Sequence, residues 1–231
     1  MKKLNIITIL FCLILFITAC GPSSSKTDEG STTATSVAEI STTATSVAET
    51  EASIGKQVWT TKNLDVIKYR NGDAIPQVQD KNAWAKLKTG AWCYYENKTA
   101  KGTTYGKLYN WFAVNDLRGL APSGYHIPTD AEWTILTDNL GEEAGTKMKS
   151  KTGWDHDGNG TNTSGFAGLP GGYRNSDGNF YFIGAFGYWW SSSESNTHYA
   201  LYRFLSYPNG IVLRLDNYGK QNGFSVRCLR D

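Results

Sequence analysis

The run APSGYHIPTDAEW, residues 121–133, carries the clearest structural instruction in the chain. Thr129 followed three residues later by Glu132 is a capping box, in which each side chain satisfies a backbone N–H that the first helical turn leaves unpaired. Trp133, Leu136 and Leu140 then recur at i, i+3 and i+7, and Gly141 stands where a helix breaker belongs. A capped helix with one apolar stripe is therefore predicted. Upstream, Asp80 precedes Lys81–Lys88, with Trp84 and Leu87 on one side and Gly90 behind, a second cap, stripe and stop. A shorter helix is predicted over Leu108–Val114, where Leu108, Trp111 and Phe112 share a face. Downstream, Tyr199–Leu205 and Ile211–Leu215 flank a Pro208-Asn209-Gly210 turn, a hairpin signal, and Gly223–Leu229 reads as a final strand. The stretch 150–195, rich in Gly, Asn and Ser, reads as long surface loops. The fold class is α+β, with short antiparallel strands and two or three helices.

Composition divides the chain. From Ile54 onward lie all 8 Trp, all 13 Tyr, 7 of the 9 Phe and 22 of the 24 Gly, enough aromatic surface for one core. Residues 20–53 are Ser, Thr, Ala and acids, with STTATSVAE at 31–39 repeated at 41–49, too few apolar groups to bury anything. This segment reads as a disordered spacer. The domain from 54 to 231 holds 20 basic and 16 acidic residues, +4, with no cationic run, which excludes nucleic acid as the expected partner.

The first residues carry Lys2 and Lys3, an apolar run from Ile6 to Ile17 and small residues up to Cys20, the layout of a secretory signal too short to span a membrane. Ile17-Thr18-Ala19-Cys20 resembles a bacterial lipobox, with Ile in the usual Leu place. Residues 1–19 are thus expected to be a signal peptide and Cys20 the lipid-acceptor, anchoring an extracytoplasmic lipoprotein to a membrane, at the outer membrane or cell surface in a two-membrane cell. Lys26-Thr27-Asp28-Glu29 weakly resembles the acidic export tags of surface lipoproteins. Within the domain only Cys93 and Cys228 remain. In an exported chain they are expected to pair as a disulfide, the alternative being two buried free thiols.

In order along the chain, GKQVWTTKNLDV (55–66), YGKLYNWFAV (105–114), APSGYHIPTDAEW (121–133), SGFAGLPGGYR (164–174), YWWSSSES (188–195) and GFSVRCLRD (223–231) resemble the Fibrobacter succinogenes major paralogous domain. That family is similar in turn to formylglycine-generating enzymes, a branch of the C-type lectin-like folds, through PTDAEW and GFSVR. The resemblance implies a C-type lectin-like fold and an exported lifestyle. It implies no reaction, since fold does not fix function.

Two constellations suggest binding. Asp155, Asp157 and Asn159 follow the D-x-D-x-N-G opening of a calcium loop, with Gly160 for the tight turn. Phe166 occupies the twelfth position, where a carboxylate belongs, and a plain polar loop of turn formers is the alternative. Trp189 and Trp190 are adjacent on a strand, so one is expected in the core and the other outward as a platform for a sugar, with Tyr173 and Arg174 close by in the resembling family; the alternative is that both are structural. Asp130 and Glu132 fit the first turn of a helix better than a catalytic acid pair. Formylglycine-generating enzymes use a cysteine pair with copper, and here Cys93 and Cys228 would have to supply it. The expected function is a binding or adhesion module for a glycan or protein ligand at the envelope, the rivals being an enzyme of that type and a purely structural component.

Overall fold

The computed structural model describes residues 50–231, whose backbone forms short strands and helices joined by long irregular stretches. The first half contributes β1 (Glu51–Ile54), β2 (Gln57–Thr60), α1 (Lys81–Ala85), β3 (Trp92–Cys93), α2 (Thr99–Tyr105), β4 (Leu108–Tyr109), α3 (Trp111–Val114) and β5 (Tyr125–His126). Then come α4 (Asp130–Leu140), α5 (Ala144–Met148), β6 (Gly171–Arg174), β7 (Phe180–Ile183), β8 (Phe186–Glu194), β9 (Ala200–Ser206), β10 (Leu213–Leu215) and β11 (Leu229–Arg230). The signal segment, Cys20 and the linker as far as residue 49 lie outside the described residues. β1 begins at Glu51, so the last linker residues of the sequence reading are already strand. None of the helices among the described residues is long and apolar enough to cross a membrane.

The capped helix forms as its sequence dictates. Thr129 Oγ1 accepts from the Glu132 N–H at 3.3 Å, and the Glu132 carboxylate accepts from the Thr129 N–H at 2.8 Å. Trp133 and Leu136 are buried, and Gly141 closes α4 with a φ of 64°. Asp80 caps α1 through the Ala83 N–H, although that helix stops at Ala85. The predicted helix over 108–114 is split. Asn110 Oδ1 accepts from the Ala113 N–H and starts α3 only at Trp111, while Leu108 and Tyr109 pair with β3.

Three sheets result: β1-β2-β11-β5, β10-β9-β8-β6-β7 and β3-β4. In the first, β11 lies between β2 and β5, so Leu229 stands opposite both Trp59 and His126 and the last strand is tied to the first hairpin. In the second the strand pairs are antiparallel except β6–β8, which meet in parallel at Gly172 and Gly187. The β9–β10 hairpin is the one its turn predicts, with Leu213 opposite Phe204. The stretch 150–195, expected as loop, instead supplies β6, β7 and β8 of this sheet. The architecture is mixed α/β, several small sheets with few helices.

Two expectations are corrected by the core. Trp189 and Trp190 do point to opposite sides of β8, but both are fully buried. Trp190 stacks on Phe224 at 4.2 Å and donates to the Tyr109 carbonyl, while Trp189 packs on Phe166 and donates to Asn63 Oδ1. β8 is central in its sheet and covered on both faces, so neither indole is free to be a platform. Cys93 and Cys228 are free rather than bridged, buried in different hydrophobic clusters. Burial pushes both thiols up to about 12, the behaviour of inert core cysteines.

Candidate ligand-binding face

The β6–β7 hairpin departs from regular pleating where Gly172 (φ 61°) and Phe182 (φ 64°) take left-handed conformations. A β-carbon at Gly172 would meet the Tyr181 carbonyl at 2.5 Å, so only glycine fits. For Phe182 no such freedom exists, and a left-handed non-glycine residue costs about 1–3 kcal/mol. The consequence is a break in alternation. Phe180 and Ile183 pack into one cluster, while Tyr181 and Phe182 sit side by side, ring centroids 5.9 Å apart, above Tyr173. Phe182 is thereby 47% exposed.

From Phe182 a row of rings continues along the sheet: Phe186 at 4.8 Å, then Tyr207 at 6.4 Å and nearly parallel to Phe186, then His156 at 5.1 Å from Tyr207. Phe186 and Tyr207 are half-buried and His156 exposed. The loop carrying His156 is fastened to the β7–β8 turn by the Asp155 N–H, which donates to the Gly184 carbonyl at 2.8 Å. Gly184 has a φ of 86°, and a β-carbon there would lie 2.6 Å from Asp155 Oδ1, so this docking also requires glycine.

Beyond Tyr207 the row opens into a cleft of about 450 Å³, lined by Glu143, Thr146, Asp157, Asn159 and Asn209 among others. Lys149, also in its wall, gives its ammonium to the carbonyls of Ser206, Tyr207 and Asn209 at 3.1–3.2 Å, and burial lowers its pKa. The cleft therefore shows carboxylates, amides and a hydroxyl, with its cation turned inward. Eight non-glycine residues among those described have positive φ, and four of them, Glu143, His156, Asp157 and Phe182, stand at this row and cleft. Strain concentrated in one place is a mark of functional surfaces.

Tyr173 packs on Phe182 and Tyr188 on Phe186, with Tyr202 against Tyr188. Burial, followed by neighbouring phenols, raises all three well above the ordinary tyrosine value, so they remain neutral. Tyr173 and Tyr218 share a hydrogen bond at 3.1 Å. Of the residues singled out from sequence, Tyr173 thus supports the face from beneath, only 5% exposed. Arg174 does not reach it: fully buried, it donates to the carbonyls of Val78, Gln79, Asp80 and Gly178 and acts as a tie between chain segments.

Asp155 packs against Gly184, and Asn159 Oδ1 accepts from the Trp154 N–H at 3.0 Å, leaving Asp157 as the carboxylate of this loop that lines the cleft. Among the described residues no three His, Cys, Asp or Glu side chains are grouped to hold a metal ion. Cys93 and Cys228, the cysteines that a formylglycine-generating site would have to use, are both buried and unbridged, in different hydrophobic clusters. Sequence reading missed Phe182, Phe186 and Tyr207. The signal available was FYFIGAFGYWW at 180–190, seven aromatic residues in eleven, more than a covered strand needs.

No curated protein and no solved structure matches the chain. The Fibrobacter succinogenes major domain matches residues 52–230, from the second residue of β1 to the end of β11, and with it the whole candidate face. The chain belongs to the Fibrobacter succinogenes major domain family.

Proposed function

We propose that this protein is a cell-envelope lipoprotein, anchored through a lipidated Cys20 and a spacer, whose domain binds or adheres to an envelope ligand through the ring row and its adjoining cleft. The observation that carries the reading is Phe182, held 47% exposed in a left-handed conformation within a continuous aromatic array. A soluble domain does not ordinarily maintain strain in order to present a ring to water, and exposed aromatic patches mark interaction surfaces. The signal layout before Cys20 supports the anchor. The domain is read as C-type lectin-like because PTDAEW falls on the capped start of α4 and GFSVR on the segment leading into β11.

Hydroxyl-radical labelling tests the face. On adding envelope fragments, labelling of Phe182, Phe186 and Tyr207 should fall, while that of Ile67 and Leu117, exposed elsewhere, should not. Equal labelling of the row with and without fragments would remove the proposal. For the anchor, Cys20→Ser should move the protein out of the membrane fraction.

A further inference from the structure

We infer that the occupant of this face is a neutral, hydroxyl-rich polysaccharide, its sugar rings laid along Phe182, Phe186 and Tyr207 and its hydroxyls reaching into the polar cleft. The inference rests on the binding face described above and names the class of ligand it takes. Phe182 lies 4.8 Å from Phe186 and inclined to it by 55°, and Tyr207 follows at 6.4 Å within 15° of parallel to Phe186, so the three rings offer a stepped apolar surface. The cleft takes in Tyr207 but neither Phe182 nor Phe186, so the exposed rings lie beside its polar wall rather than inside it. A chain of sugar rings has the matching character: apolar C–H faces for stacking and a polar edge at every unit.

Charge selects among such chains. Glu143 and Asp157 line the cleft, and Lys149 spends its ammonium on three backbone carbonyls. No cation of the cleft wall is left to meet a uronate, sulfate or phosphate, and the two carboxylates would repel them. Against a neutral glycan the same groups serve as hydrogen-bond partners: carboxylates accept from sugar hydroxyls, the Asn209 and Asn159 amides present at the wall can add to them, and Thr146 contributes a hydroxyl already paired with Glu143 at 2.7 Å. This combination of apolar wall and a few directed polar groups is the usual composition of a small-molecule site.

The test uses the full-length chain in detergent, applied to insoluble cellulose, xylan, mannan and chitin, to polygalacturonate, and to envelope fragments with and without protease treatment. Retention on at least one neutral polysaccharide is expected, falling at least about tenfold in Phe182→Gly and in Tyr207→Ala, with melting temperature recorded for each variant. No retention on any neutral polysaccharide, or tighter retention on polygalacturonate, overturns the assignment. If envelope binding then proves protease-sensitive yet still lost in Phe182→Gly, the face stands and its partner is a protein. Envelope binding unchanged in a folded Phe182→Gly variant removes the face itself.

Discussion

At the scale of the residue, Phe182 decides what this domain offers to its surroundings. Its backbone strain works against folding by about 1–3 kcal/mol, comparable with what a half-buried phenylalanine ring returns. Phe182→Gly is therefore expected to leave stability within about 1 kcal/mol of the wild type, because relief of strain offsets loss of the ring. Thermal unfolding checks this, and a large loss would mean that the ring is chiefly core. The density of rings at 180–190 was legible in the sequence, but the conformation of Phe182 was not. The positive φ of Phe182 accompanies pairings between residues distant in sequence, the Gly172–Gly187 bridge and the Asp155–Gly184 hydrogen bond. The Trp189–Trp190 pair was misread for a related reason: alternation along a strand was foreseen, but which faces are covered depends on what packs above and below β8.

Elements whose instructions are local were readable. In α4 the cap, stripe and stop lie within thirteen residues, and each appears as written. Thr129→Ala is expected to cost about 1 kcal/mol and Trp133→Ala about 3–5 kcal/mol, the first losing a cap and the second leaving a cavity. Equal small losses in denaturant titrations would contradict the burial of Trp133. The neighbouring β11 is clasped to α4 by His126, whose Nδ1 lies 2.8 Å from Asp231 Oδ1 and Nε2 2.9 Å from Glu132 Oε1. Burial draws the His126 pKa down, but hydrogen bonds to both carboxylates outweigh it, and the value in the folded protein lies above the ordinary 6.5. Stability from the clasp is thus fully present below the unfolded value and is lost as pH rises through the raised one. Glu132 is affected oppositely: burial raises it, but bonds from Thr129 and His126 prevail and hold it below its ordinary value, so its contribution fades only as pH falls through that lowered value. The melting-temperature gap between wild type and His126→Gln should be wide near pH 6 and narrow toward pH 8; a constant gap would refute the clasp. The helix foreseen over 108–114 failed because Asn110 reads equally as an interior residue or a cap, and pairing with β3 chose the cap.

For the whole molecule, the surplus of positive charge is internal. Lys107, Lys149, Arg174, Arg203, Lys220 and Arg227 are buried, which leaves 14 of the 20 basic residues in 54–231 to face its 16 acidic ones. Arg227 alone ties the carbonyls of Thr60, Phe166 and Ala167 together, so cations hold the long irregular segments that a sequence shows only as loops. Cys93 and Cys228 stand unbridged in this core. Alkylation without reductant should leave Cys93 and Cys228 unlabelled in the folded protein and label both after denaturation; protection after denaturation would restore the bridge. The central claim, that the ring row is where this protein meets its ligand, is tested most directly by the adsorption of wild type and Phe182→Gly to envelope fragments, measured alongside their melting temperatures. A variant that melts with the wild type but adsorbs at least about tenfold more weakly is the expected result; one that melts and adsorbs like the wild type would contradict it.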